Sequence, residues 1–349
     1  MTWGYFAGRT ASYRRRSAHP RRAWTIASVL HILLITFPFF ALVLCGFVAA
    51  RWRLLPLDAI AGLNGFVLFF ALPCMLYRFG SSTPLSQLLD GGVFFTWSLC
   101  ALITVGFTLA VSRGPRIGWN DASFGALVAA FPNTGFMGVP LLVALLGAGA
   151  AGPVILTMLV DMVMTTSLCI ALSRLDGADQ HGASKAARSA LKGVAANPLP
   201  WSILLGALAS ALSLELPRPL SQTVGLMADA ASPVALFTIG AVLARSQMVA
   251  TLKQQAPSPL RDYLPVVGIK LLAHPLLVLL LGTAGIACGL PLSRFALTVM
   301  VLAAALPSAS NVSLLAERFG ADNGRIARII LLSTAAAFLT FSLAVSWLT

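Results

Sequence analysis

The sequence predicts an all-α polytopic membrane protein of ten transmembrane helices, folded as a 5+5 inverted repeat. Three observations predict it: a composition too apolar for a water-soluble surface, apolar runs of span length separated by basic gaps, and an internal match between the two halves. Of 349 residues, 58% are hydrophobic and 10% charged, with a mean hydropathy of +0.87. A soluble domain carries about 25% charged residues, so this chain cannot build the polar shell of a soluble enzyme, and it is too apolar for a disordered chain. The net charge of +13 does not mark a nucleic-acid partner. The basic residues sit in short gaps between long apolar runs rather than along one face of a polar domain, the pattern left by the positive-inside rule.

A helix needs about 20 apolar residues to cross about 30 Å of hydrocarbon. Ten runs qualify, at 29–50, 59–79, 92–111, 122–146, 153–173, 198–214, 221–244, 264–288, 295–316 and 326–348. The third and tenth are uninterrupted. The second carries Pro73, the fourth Pro132 and Pro140, the seventh Pro233, the eighth Pro275 and the ninth Pro307. Backbone freed by proline in lipid needs another partner or a water-filled cavity, so five interrupted spans are expected, a transporter-like pattern. Residues 1–28 form a basic N-terminal tail expected to be disordered, 29–174 a first five-helix repeat, 175–197 a cytoplasmic loop and 198–349 the second repeat. Alternate loops hold Arg51, Arg53, Arg113, Arg116, Arg174, Lys185, Arg188, Lys192, Arg245, Lys253, Arg261, Arg318, Arg325 and Arg328. The opposite loops hold Arg78, Arg218 and Arg294. The first set is therefore assigned to the cytoplasm, and ten spans place both termini outside. The tail, with Arg9, Arg14, Arg15, Arg16, Arg21 and Arg22, conflicts with that placement. Either the natural start lies downstream, for example at Val29, or the first helix is not a simple span. The cysteines all lie in apolar runs without C-x-x-C pairs, and read as small packing hydrophobes rather than metal ligands.

The two halves match in order. Gly46 pairs with Gly206, Pro56 with Pro217, Pro73 with Pro233 and Pro132 with Pro307, and the last two stretches close on Gly147 and Gly320. A repeat of five spans must run through the bilayer in opposite directions, the plan of many secondary carriers, in which matched broken segments point to the binding site. Here those segments are the fourth and ninth spans. Pro132 removes an amide donor and clashes with the carbonyl one turn back. Asn133, Thr134, Gly135 and Gly138 follow it, while Ser308, Ser310 and Asn311 follow Pro307. Half-helix ends exposed by such breaks attract ions, and asparagine holds a carboxylate without bringing a charge of its own. The alternative is that these residues only glue helices together. Asn64, one span before Pro73, is a further candidate.

Intramembrane charge is sparse: Asp161, Asp229 and Lys270, the last followed one turn on by His274. Each costs about 2.5–3.5 kcal/mol at the bilayer centre, so they should face the interior and pair. Lys270 with Asp161 or Asp229 is the expected pair, either for charge balance and proton coupling or as a structural ion pair. No H-E-x-x-H, G-x-S-x-G or Walker motif occurs, so no enzyme and no resident cofactor is expected.

The segments FPNTGFMGVPLL at Phe131, LPCML at Leu72, KLLAHPLL at Lys270 and LPSASNVSLLAERFGAD at Leu306 together resemble the auxin efflux carrier family, which includes bacterial malonate and malate permeases. The resemblance implies a fold similar to sodium/proton antiporters and bile-acid symporters, with helices 4 and 9 crossed at Pro132 and Pro307. It also implies that Asn133 and Ser308 to Asn311 face a substrate carboxylate, and that a homodimer forms. The expected activity is secondary transport of small organic anions across a bacterial inner membrane by alternating access, with a proton or sodium as coupling ion. A cation/proton antiporter on the same fold is the alternative.

Overall fold

A computed structural model of the chain describes residues 26–84, 89–175, 198–252 and 259–349. Twelve helices are described: α1 (Ile26–Arg51), α2 (Ala59–Ser82), α3 (Gly91–Ser112), α4 (Trp119–Ala130), α5 (Thr134–Leu146), α6 (Ala148–Leu172), α7 (Pro198–Ala211), α8 (Arg218–Leu252), α9 (Leu260–Ala287), α10 (Arg294–Ala305), α11 (Asn311–Arg318) and α12 (Asn323–Leu348). No strand occurs among the described residues, only two isolated backbone bridges. Six helices are long and apolar enough to cross a membrane: α2, α3, α6, α8, α9 and α12. Thr36–Arg51 of α1, together with α5, α7 and α10, are shorter apolar helices. Most of the basic tail and the loop at 175–197, with Lys185, Arg188, Lys192 and Lys253, lie outside the described residues.

Helix ends follow local chemistry. Asp90, Ser293 and Asp322 cap α3, α10 and α12, accepting from Val93 N, Ala296 N and Arg325 N at 3.0, 3.0 and 2.9 Å, which satisfies amides that open each helix. The turns expected at Gly147 and Gly320 are present, with φ of 87° and 71°, a left-handed backbone that glycine adopts at no steric cost.

The layering is inverted relative to a soluble protein. Phe69, Phe70, Phe94, Phe95, Leu276, Leu280, Leu339 and Leu343 point outward and are exposed, an apolar surface suited to acyl chains. At the centre lie α4 and α10, buried along nearly their whole length by alanines such as Ala126, Ala129, Ala130, Ala303, Ala304 and Ala305. Their small side chains let neighbours approach on every side. Two glycine seams tie the periphery. The backbone of Phe237 on α8 rests on Gly46 of α1 and that of Val43 on Gly240, while Tyr77 O and Ile203 O rest on Gly206 and Gly80 where α7 meets α2. Any side chain at these glycines would force the paired backbones apart.

Among the described residues, two of the five expected interruptions are present. Pro233 lies inside the continuous α8. Pro73 and Pro275 stay within α2 and α9, each just after a widened π-turn, at Val67–Ala71 and Ile269–Ala273. Pro140 follows one at Thr134–Gly138 in the same way. A π-turn relieves the clash between the proline ring and the carbonyl one turn back, so the helix continues. Among the described residues, the prolines expected to interrupt spans coincide with real breaks only at Phe131–Asn133 and Leu306–Ser310, between α4 and α5 and between α10 and α11.

Candidate functional site

The two breaks sit against each other. Residues preceding a proline are pushed out of the helical region, and Phe131 (ψ 99°) and Leu306 (ψ 155°) are extended. Extended backbone leaves donors and acceptors open, and each break fills those of the other. Asn133 N donates to Pro307 O at 2.8 Å, and Ala309 N to Phe131 O at 3.0 Å, making Pro132 and Ser308 antiparallel bridge partners. Buried backbone groups left unpaired would each cost about 1–3 kcal/mol. Ser308 N is met by Ser333 Oγ of α12 at 3.2 Å. Gly138 lets Leu306 approach: a Cβ there would lie 2.8 Å from Leu306 Cδ1.

Backbone groups at the breaks pair with each other while some of the side chains beside them stay open. Asn133, Thr134 and Ser308 are buried, and neither Ser308 Oγ nor Asn311 Oδ1 has a partner. Thr134 Oγ1 reaches only its neighbour Pro132 O, at 3.5 Å. Gly135 packs beside Met158, and Ser310 and Asn311 open α11. An uncharged, underused set of hydroxyls and amides is thus gathered where the chain turns. Asn64 lies half-buried on α2, and no hydrogen bond ties it to either break.

A charged cluster lies behind α10. Asp161 and Lys270 are both fully buried, on the π-turns Asp161–Thr165 of α6 and Ile269–Ala273 of α9. The expected ion pair is not made: no oxygen of Asp161 or Asp229 lies within 4.0 Å of Lys270 Nζ. Lys270 Nζ instead donates to Ala304 O of α10 at 3.0 Å and contacts His274 Nδ1 at 3.3 Å. Asp161 Oδ1 accepts from Thr165 Oγ1 at 3.0 Å, and the Trp97 indole N–H faces the same carboxylate. The His274 ring lies 5.3 Å from that of Trp97 on α3, and His274 Nε2 is unpartnered. Asp229 stands elsewhere, 69% exposed and bonded to Arg78 at 2.7 Å. Sequence reasoning named neither Trp97 nor Thr165. An indole N–H in mid-span was the available signal for the first, and the i+4 spacing from Asp161 for the second.

A family model described as membrane transport protein matches residues 31–345. The chain belongs to this family, the auxin efflux carrier family. As a member of it, the chain is similar to a provisionally named malonate transporter of Rhizobium meliloti (strain 1021), 28% identical over 86% of this chain and 90% of the relative. It is also similar to the uncharacterized transporter YfdV of Escherichia coli (strain K12), 27% identical over 81% and 86% of the two chains. An uncharacterized transporter of Methanothermobacter thermautotrophicus is 26% identical, over 84% and 90%. The auxin efflux carrier family and these relatives make the chain a multi-pass membrane transporter.

Proposed function

We propose that the protein is a secondary carrier of small organic anions, carboxylates such as malonate, working by alternating access in a bacterial inner membrane. In this reading α4–α5 and α10–α11 are the fourth and ninth of ten spans and cross at their breaks. The observation that carries it is the reciprocal backbone pairing of Asn133 with Pro307 and of Ala309 with Phe131, which leaves uncharged polar side chains around a buried centre. Asn133, Thr134, Gly135, Ser308, Ser310 and Asn311 would receive the carboxylate, with half-helix amides supplying positive potential. The glycine seams support the inverted repeat. Gly46 on Phe237 and Gly206 on Tyr77, and likewise Gly240 on Val43 and Gly80 on Ile203, are contacts between the same repeat positions. In this plan α1, α2, α7 and α8 form a frame, past which the unit holding the breaks moves elevator-fashion, and the termini are extracytoplasmic. A cation/proton antiporter would need a carboxylate at the crossing, and the break residues are neutral.

Labelled malonate taken up by reconstituted vesicles tests the reading. A hydrogen bond to a charged group contributes about 1.5–3 kcal/mol, so Asn133→Ala should weaken substrate affinity about ten- to a hundredfold while the protein still inserts and melts as the wild type does. Normal transport by a well-expressed variant would remove the site. A thermal-shift panel of carboxylates identifies the substrate.

A further inference from the structure

We propose that Asp161, Lys270 and His274 form the proton-binding site that couples this carrier to a pH gradient, with no role for sodium. The inference rests on the carrier reading above and deepens it.

The geometry is that of a buried acid and a buried base held apart. Asp161 and Lys270 are sealed from solvent and near enough to act on each other electrostatically, yet no contact within 4.0 Å joins them. A structural ion pair in so poor a solvent would close up. Instead, Asp161 is met only by neutral donors, the Thr165 hydroxyl and the Trp97 indole N–H, and His274 Nε2 has no partner. When His274 Nδ1 accepts from Lys270, the one ring proton sits on Nε2. The other groups facing the cluster are few. Trp97 comes from α3, and Cys169 lies two turns along α6 from Asp161. The nearest part of α10 is the carbonyl of Ala304. The neighbours α4 and α12 carry ionisable side chains only near their first turns, Asp121 on α4 and Arg325 and Arg328 on α12.

The link to the crossing is Ala304 O. It belongs to the last turn of α10, immediately before the break, where the helix dipole is negative. In carriers with split helices such carbonyl ends coordinate the coupling sodium; here an ammonium already fills that position. In this scheme the empty carrier holds Asp161 as the carboxylate that balances Lys270. When a carboxylate docks at the break, water on the open side delivers one proton to Asp161 Oδ2, an O–H bond forms there, and the ammonium of Lys270 balances the anion's charge. Release reverses the step. For a singly charged substrate, which for malonate is its monoanion, the interior carries no net charge in either state, the condition that a low-dielectric core favours.

Vesicles separate the steps. Exchange of labelled for unlabelled malonate reads binding and movement, and uptake into empty vesicles under an inward proton gradient reads coupling. Wild-type protein should accumulate malonate under the gradient equally well with sodium or with choline. Asp161→Asn should retain exchange and lose the response to the gradient. A variant that still follows the gradient, or wild-type uptake that requires sodium, overturns the proposal. Wild-type vesicles that move no carboxylate sink the carrier reading itself. The proton site then stands on pH-difference infrared spectra of the purified protein. A titrating carboxyl band that is absent from Asp161→Asn, or shifted in His274→Gln should the first variant not insert, is the expected result; no titrating band refutes it.

Discussion

The two prolines at which the helix breaks differ from the others in the residue that follows them. Pro132 and Pro307 are followed by Asn133 and Ser308, whose short polar groups compete for backbone partners, and the helix stops. Pro73, Pro233 and Pro275 are followed by Cys74, Val234 and Leu276, and the helix continues. The broken centre was therefore legible in the sequence at the level of dipeptides, whereas a count of prolines overstated the interruptions. The charged cluster was half legible. Asp161 and Lys270 are conspicuous in apolar runs, but their failure to pair depends on Ala304 O and His274, which only the folded chain brings into reach. Gly138 makes the tight approach testable. Gly138→Ala presses a methyl on Leu306 inside a packed centre and should cost about 1–3 kcal/mol, read as a lower unfolding temperature in detergent.

Helices in this chain are continuous or split according to what satisfies their backbone. Where a π-turn precedes the proline, as at Val67–Ala71 and Ile269–Ala273, the span is preserved with a local widening. The turn at Asp161–Thr165 has no proline; there Thr166 Oγ1 takes the Asp161 carbonyl at 2.8 Å. Such turns leave no mark in hydropathy, because residue types on either side are unchanged. A pair of substitutions separates the two classes. Pro233→Ala restores an amide inside the unbroken α8 and should leave transport intact, with equal or higher stability, since proline costs a helix interior about 3 kcal/mol relative to alanine. Pro307→Ala releases Leu306 from its extended geometry and should lower uptake at least about tenfold, the equivalent of about 1.4 kcal/mol. Equal activity in both would show that the extended breaks are incidental.

At the scale of the whole molecule, several of the described loop arginines gather around one buried guanidinium. Arg325 is buried, with Nε donating to Asp262 O at 2.7 Å and Nη1 to Asp121 O at 2.9 Å. Around it Arg116 pairs with Asp262 at 3.2 Å, Arg113 lies over Trp119 and Arg174 over Phe319. One guanidinium thereby joins the starts of α4, α9 and α12. Arg325→Leu strands two carbonyls and should lower stability by about 2–6 kcal/mol, at about 1–3 kcal/mol for each, whereas Arg261→Ala, with its exposed 4.0 Å contact to Asp262, should change it by less than about 1 kcal/mol. The mutual stitching of the breaks at 131–133 and 307–309 carries a mechanical corollary. Since each strand of that small knot supplies what the other lacks, prising them apart would expose both at once. On the carrier reading proposed above, whatever opens the pathway to either face would slide along the outside of the knot, and cargo seated there would travel with it.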